Sequence, residues 1–139
     1  MYQKKSFDTT AESVEPAQKT ILLVDDDEDE HEIFLSALKH IDKSCKFLSA
    51  GSCDEALKIV KHVEPDYIFI DVNMPRTNGM VCLDEIKKIS KIAHVPVYMY
   101  STGMNAQDDQ KARQLGAVDY IIKPNSIPML TGLLKKIVV

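Results

Sequence analysis

Short apolar runs recur along the chain, separated by segments of helix length that mix apolar and polar residues. ILLV at 21–24, KFLSA at 46–50, YIFI at 67–70, VPVYMY at 95–100 and DYII at 119–122 have the length and the β-branched or aromatic content of strands. ILLV and YIFI do not alternate in polarity, which suits strands covered on both faces, as in a parallel sheet flanked by helices. Between the first two runs, Ile33, Phe34, Ala37, Leu38 and Ile41 fall on one helical face. Ser52 followed by Glu55 is a capping-box signature that opens the next helix. Gly116 reads as a helix stop, and Ser126 as the cap of a last helix carrying Leu130, Leu133, Leu134 and Ile137. Five successive strand–helix units predict an α/β fold, an open doubly wound parallel sheet of five strands with five helices. Residues 1–19 are polar, unperiodic and interrupted by Pro16, and read as a flexible N-terminal tail; residues 20–139 form the folded domain. No output domain is expected after the fifth helix.

Composition narrows the class. A chain of 139 residues, 45% of them hydrophobic, can bury one core without covalent staples. The net charge of −4 offers no basic surface, so no nucleic-acid partner is expected. Cys45, Cys53 and Cys82 are odd in number, form no CxxC pair and have no matching histidine spacing, so reduced thiols are expected rather than a disulfide framework or a zinc site. No apolar run approaches the roughly 20 residues of a membrane span, and residues 1–20 lack the apolar segment of a signal peptide. A cytoplasmic protein with no membrane association is the expectation.

The chemistry lies just past the strands. Asp25, Asp26 and Asp27 follow the first, Asp71 the third, Ser101 and Thr102 the fourth, and Lys123 the fifth. Four separate segments thus place polar groups at the one edge of the sheet where this fold class binds ligands. If Asp25, Asp26 and Asp71 converge, each pair about 4 Å apart repels by roughly 4 kcal/mol at an effective dielectric of 20. Lys123 offsets one charge, and a hard divalent cation with oxygen ligands, Mg²⁺, balances the rest. Asp71, alone at the end of its strand, is then a candidate nucleophile for a phosphoryl group, forming an acyl phosphate. Ser101 could donate a hydrogen bond to the new group and Lys123 could pair with another of its oxygens. Asp27 to Glu30 read as a solvated helix start. His31, His40, His62 and His94 read as surface histidines; His31-Glu32 has no second helix with which to build a dimeric phosphorylation bundle.

Other classes fit less well. A flavin-type phosphate loop needs amides and hydroxyls after the first strand, where three aspartates stand here. No Walker motif occurs. An aspartyl-phosphate phosphatase would want a second carboxylate two residues beyond Asp71, and Asn73 stands there.

Taken in order and spacing, ILLVDDD with Asp25 and Asp26, DVNMPRTNG with Asp71, Pro75 and Gly79, then Ser101, and Lys123-Pro124 resemble the receiver domain of response regulators in two-component signalling, similar to the stand-alone chemotaxis regulator. The resemblance runs from about Thr20 to Val139. It implies a flavodoxin-like strand order 2-1-3-4-5 and a Mg²⁺ site, with Mn²⁺ as a substitute, formed by Asp26, Asp71 and the backbone carbonyl of Asn73, with Asp25 acting through water. It implies a phosphoacceptor signalling protein rather than an enzyme, which takes a phosphoryl group on Asp71 from a sensor histidine kinase or a histidine phosphotransfer protein. Ser101 and Tyr120 would then act as the switch that alters the face of helix 4, strand 5 and helix 5, controlling a partner protein and leaving room for a phosphorylation-dependent homodimer. Two positions depart from the pattern: Asn125 replaces a common Phe after Lys123-Pro124, and Gly103 supplies no side chain where relatives tune loss of phosphate. A phosphorylation-independent binding module is the alternative, and the intact set of Asp25, Asp26, Asp71, Ser101 and Lys123 argues against it.

Overall fold

The computed structural model describes residues 18–41, 44–103 and 105–138. Ten elements alternate: β1 (Lys19–Val24), α1 (Glu28–Leu38), β2 (Cys45–Ala50), α2 (Cys53–Val60), β3 (Tyr67–Ile70), α3 (Gly79–Lys87), β4 (Val97–Ser101), α4 (Ala106–Gln114), β5 (Asp119–Ile122) and α5 (Ile127–Ile137). All strand pairings are parallel, in the order β2-β1-β3-β4-β5. The chain therefore winds outward in both directions from β1, as the doubly wound class requires.

Successive strand residues point to opposite faces, and the two faces bury different helices. Leu22, Val24, Ile68, Ile70, Val97 and Met99 pack under α2, α3 and α4. Ile21, Leu23, Phe69, Tyr100 and Ile121 pack under α1 and α5, where Phe34 meets the rings of Phe69 and Tyr100 edge-on. This two-sided burial explains why β1 and β3 read as continuous apolar runs. On α1, Phe34, Ala37, Leu38 and Ile41 are buried as the periodicity predicts, while Ile33 turns outward.

Polar side chains set the helix starts. Asp27, Ser52, Asn78, Asn105 and Ser126 each accept a backbone N–H two or three residues ahead. Glu55 turns back from the first turn of α2, but to the amide of Gly51 rather than to that of the cap residue. Gly116 ends α4 at φ 106°, a left-handed conformation that an L side chain resists.

The element boundaries differ in small ways from expectation. β1 begins at Lys19, inside the segment read as tail; the rest of that segment, up to residue 17, lies outside the described residues. β4 starts at Val97 because Pro96 has no amide to donate, and it runs on to include Ser101. Cys53 and Cys82 form a disulfide, contrary to the expectation of reduced thiols, with Cα atoms 5.6 Å apart. Their 29-residue separation matches no short motif; α2 and α3 meet on one face of the sheet and bring them together. Among the described residues, no helix is long and apolar enough to cross a membrane.

Candidate functional site

Strand register builds the site. Val24 lies opposite Ile70, so the next residue of each strand, Asp25 and Asp71, emerges at the same level. The Asp71 amide donates to the Val24 carbonyl at 2.9 Å, which locks that level. Carboxylate oxygens of Asp25, Asp26 and Asp71 lie within 4.8 Å of one another. Asp25 is fully buried, Asp71 is 6% exposed and Asp26 faces solvent.

Lys123 reaches this cluster from the end of β5. Its Nζ is 2.9 Å from Asp25 Oδ2 and 3.8 Å from Asp71 Oδ2, and sits 5.5 Å from the centre of the Tyr100 ring. The backbone secures it, since the Lys123 amide donates to the Ser101 carbonyl at 2.7 Å. Burial by itself would lower the Lys123 pKa, but the hydrogen bond to Asp25 and the surrounding negative charges outweigh that and raise it. Asp71 is pushed up from 3.8 to about 6, first by burial and then by the charge of Asp25, with Lys123 and the Asn73 amide pulling the other way. The Lys123 ammonium thus offsets only part of the charge of the Asp25, Asp26 and Asp71 cluster. The residual negative charge, the all-oxygen donor set and the solvent-facing Asp26 fit a hard divalent cation that keeps some of its water.

Around this centre, the Asn73 amide donates to Asp71 Oδ1 at 3.2 Å, and its side-chain Nδ2 donates to the buried Ser101 hydroxyl at 3.3 Å. The Tyr120 ring lies inward, with its hydroxyl donating to the Gly103 carbonyl at 2.9 Å. Gly79 opens α3 against the back of the site. A Cβ at this position would lie 2.1 Å from the Asp71 carbonyl oxygen, so the approach of helix to strand end requires glycine.

The structure thus brings together Asp25, Asp26, Asp71, Asn73, Ser101 and Lys123. It also adds groups that sequence reasoning passed over. Glu30, assigned to a solvated helix start, is half-buried, with Oε1 4.0 Å from Lys123 Nζ; burial above all raises its pKa. Its one sequence signal is its place three residues beyond the cap Asp27, which turns it towards the strand ends. His31, expected on the surface, is half-buried and its Nε2 donates to the Asp25 carbonyl at 2.6 Å. His40, His62 and His94 are exposed as expected.

Residues 21–135 match the response regulator receiver domain family. Over 114 residues the chain is 34% identical to a probable cyclic di-GMP phosphodiesterase of Vibrio cholerae, a match that covers 82% of this chain and only 25% of that protein. The crystal structure of a phosphorylated cyanobacterial phytochrome response regulator, RcpA, superposes with a TM-score of 0.79 at 26% identity, covering 87% of this chain and 91% of that one. The Mn²⁺-bound form of the response regulator Rcp1 shares the fold, with a TM-score of 0.75 at 23% identity over 86% of this chain and 91% of that one.

Proposed function

Because the chain belongs to the response regulator receiver family, we propose that Asp71 accepts a phosphoryl group from a sensor histidine kinase or a histidine phosphotransfer protein, in a reaction that needs Mg²⁺ or Mn²⁺. The observation that carries this reading is the convergence of three carboxylates within 4.8 Å beside Lys123. Asp26, Asp71 and the Asn73 carbonyl would hold the cation. Asp25, with Oδ1 accepting from the Asp27 amide and Oδ2 from Lys123, would act through water. The bound cation supplies positive charge to the equatorial oxygens of the transferring group.

The chain's own residues do the rest. Asp71 attacks through the oxygen that is not held by the Asn73 amide, and the donor's histidine nitrogen leaves. Lys123, already 3.8 Å from Asp71, pairs with a phosphoryl oxygen as its charge develops. Ser101 exchanges its contact with Asn73 for a hydrogen bond to the phosphoryl group, drawing in the β4–α4 loop. That loop carries Gly103, whose carbonyl holds Tyr120, so the displacement passes to the face formed by α4, β5 and α5. The changed face would control a protein partner. Phosphorylation biases it because Ser101 and Lys123 make contacts that exist only in the phosphorylated state.

The test is intact mass after incubation with acetyl phosphate or phosphoramidate, with and without Mg²⁺, on the wild type and on Asp71→Asn. One added phosphoryl group that depends on Mg²⁺ and is lost in the variant is expected. No adduct, with cation binding intact, would replace this reading with a phosphorylation-independent binding module.

A further inference from the structure

The disulfide between Cys53 and Cys82 closes a ring of contacts around the acidic site. Asp25 donates its amide to the Ala50 carbonyl at 2.9 Å, and three residues further on Cys53 begins α2. The bond crosses to Cys82 in α3. One turn before Cys82, Gly79 is pressed against the Asp71 carbonyl and donates its amide to the Val72 carbonyl at 2.8 Å. The strand ends bearing Asp25 and Asp71 are thereby joined twice, directly through the sheet and again through the α2–α3 bond. Inside the ring lies a pocket of about 230 Å³ lined by Asp26, Cys53 and the β3–α3 loop residues Met74 to Thr77. Cys53 lines this pocket while keeping only 4% of its surface exposed, and Cys82 is fully buried behind it.

We propose that Cys53 and Cys82 form a reversible redox pair whose bond fixes the β3–α3 loop and so sets how tightly the acidic site holds a divalent cation. This rests on the cation site proposed above. Starting from two thiols, the Cys53 thiolate attacks one sulfur of a low-molecular-weight disulfide and releases one thiol. The Cys82 thiolate then attacks Cys53 in the mixed disulfide and releases the second. One S–S bond breaks and one forms, and the two protons pass to the two released thiols. In the bonded form, α3 and the loop carrying Asn73 are tethered, so less order is imposed when the cation binds. Reduction frees the tether and weakens binding.

The test uses the full chain equilibrated with oxidised or reduced glutathione. Alkylation under denaturing conditions should count one reactive thiol, Cys45, in the oxidised protein and three in the reduced one. Mn²⁺ binding followed by electron paramagnetic resonance should be several-fold tighter in the oxidised form. Cys82→Ala and, separately, Cys53→Ser should bind equally under both conditions. Three reactive thiols after oxidation, or equal affinity in two forms whose thiol counts differ, would overturn the redox inference while leaving the cation site standing. Absence of binding in both forms would overturn the cation site and the inference together.

Discussion

Replacing Asp71 by Asn should stabilise the cation-free protein, and by an amount that depends on pH in a defined direction. In the folded chain Asp71 keeps its proton up to about pH 6, against 3.8 ordinarily. Between those values the folded state holds more protons than the unfolded one, so wild-type stability falls as pH rises through the window and stays low above it. Raising a carboxyl from 3.8 to about 6 corresponds to about 3 kcal/mol at most. Solvent on the Asp26 side screens part of the repulsion, so a gain of about 1–3 kcal/mol is expected. The Asn side chain has the same shape, keeps an oxygen for the Asn73 amide and carries no charge. Urea unfolding in EDTA, followed by far-UV circular dichroism from pH 4.5 to 8, would report the difference. The gap should be smallest at pH 4.5, where about a third of it is already present, and the variant should lead increasingly through pH 6, with the lead constant above about pH 7. Adding Mg²⁺ should raise the wild type more than the variant and narrow the gap. A gap that does not vary with pH, or a variant less stable at pH 8, would show that charge crowding at Asp71 is not what the geometry implies.

Three further perturbations probe different parts of the site and its frame. Lys123→Met leaves the buried Asp25 without its cation and should cost on the order of 3 kcal/mol in EDTA, partly restored by Mg²⁺; equal unfolding midpoints would contradict the role given to the pair. Gly79→Ala drives a methyl group into the Asp71 carbonyl, so it should destabilise by more than about 2 kcal/mol and slow phosphorylation by acetyl phosphate. A fully active, stable variant would mean that α3 can retreat at no cost. Ser126→Ala removes the cap of α5 and should lower stability by about 1 kcal/mol while leaving Mn²⁺ affinity unchanged.

What could be read from the sequence was whatever one strand or one helix face records by itself. The unalternating ILLV and YIFI reported burial on both sides, and the polar residues after four strands reported a shared edge. Parallel register then did the assembly, because equal pairing levels deliver Asp25 and Asp71 together whatever lies between them. The missed features depend on contacts between distant elements. Glu30 looked like any acidic first-turn residue until Lys123, far along the chain, arrived beside it. The Asn73 side chain carries no local signal either, since its amide reaches Ser101 only across the folded site. The cysteine bond was hidden for the same reason: pairing across two neighbouring helices leaves no spacing rule in the sequence.

Helix α4 buries only Ala112; every other residue in it keeps some contact with solvent. An element that buries one alanine methyl and is otherwise tied to β5 through Arg113, which reaches Asp119 and the Val118 carbonyl, contributes little to the core, so most of its other positions can be rewritten without disturbing the packing beneath. Duplicated copies of such a domain could therefore diverge in the company they keep while the acidic site stays fixed. In α4, mutational freedom and displaceability have the same origin, the thinness of its attachment to the sheet.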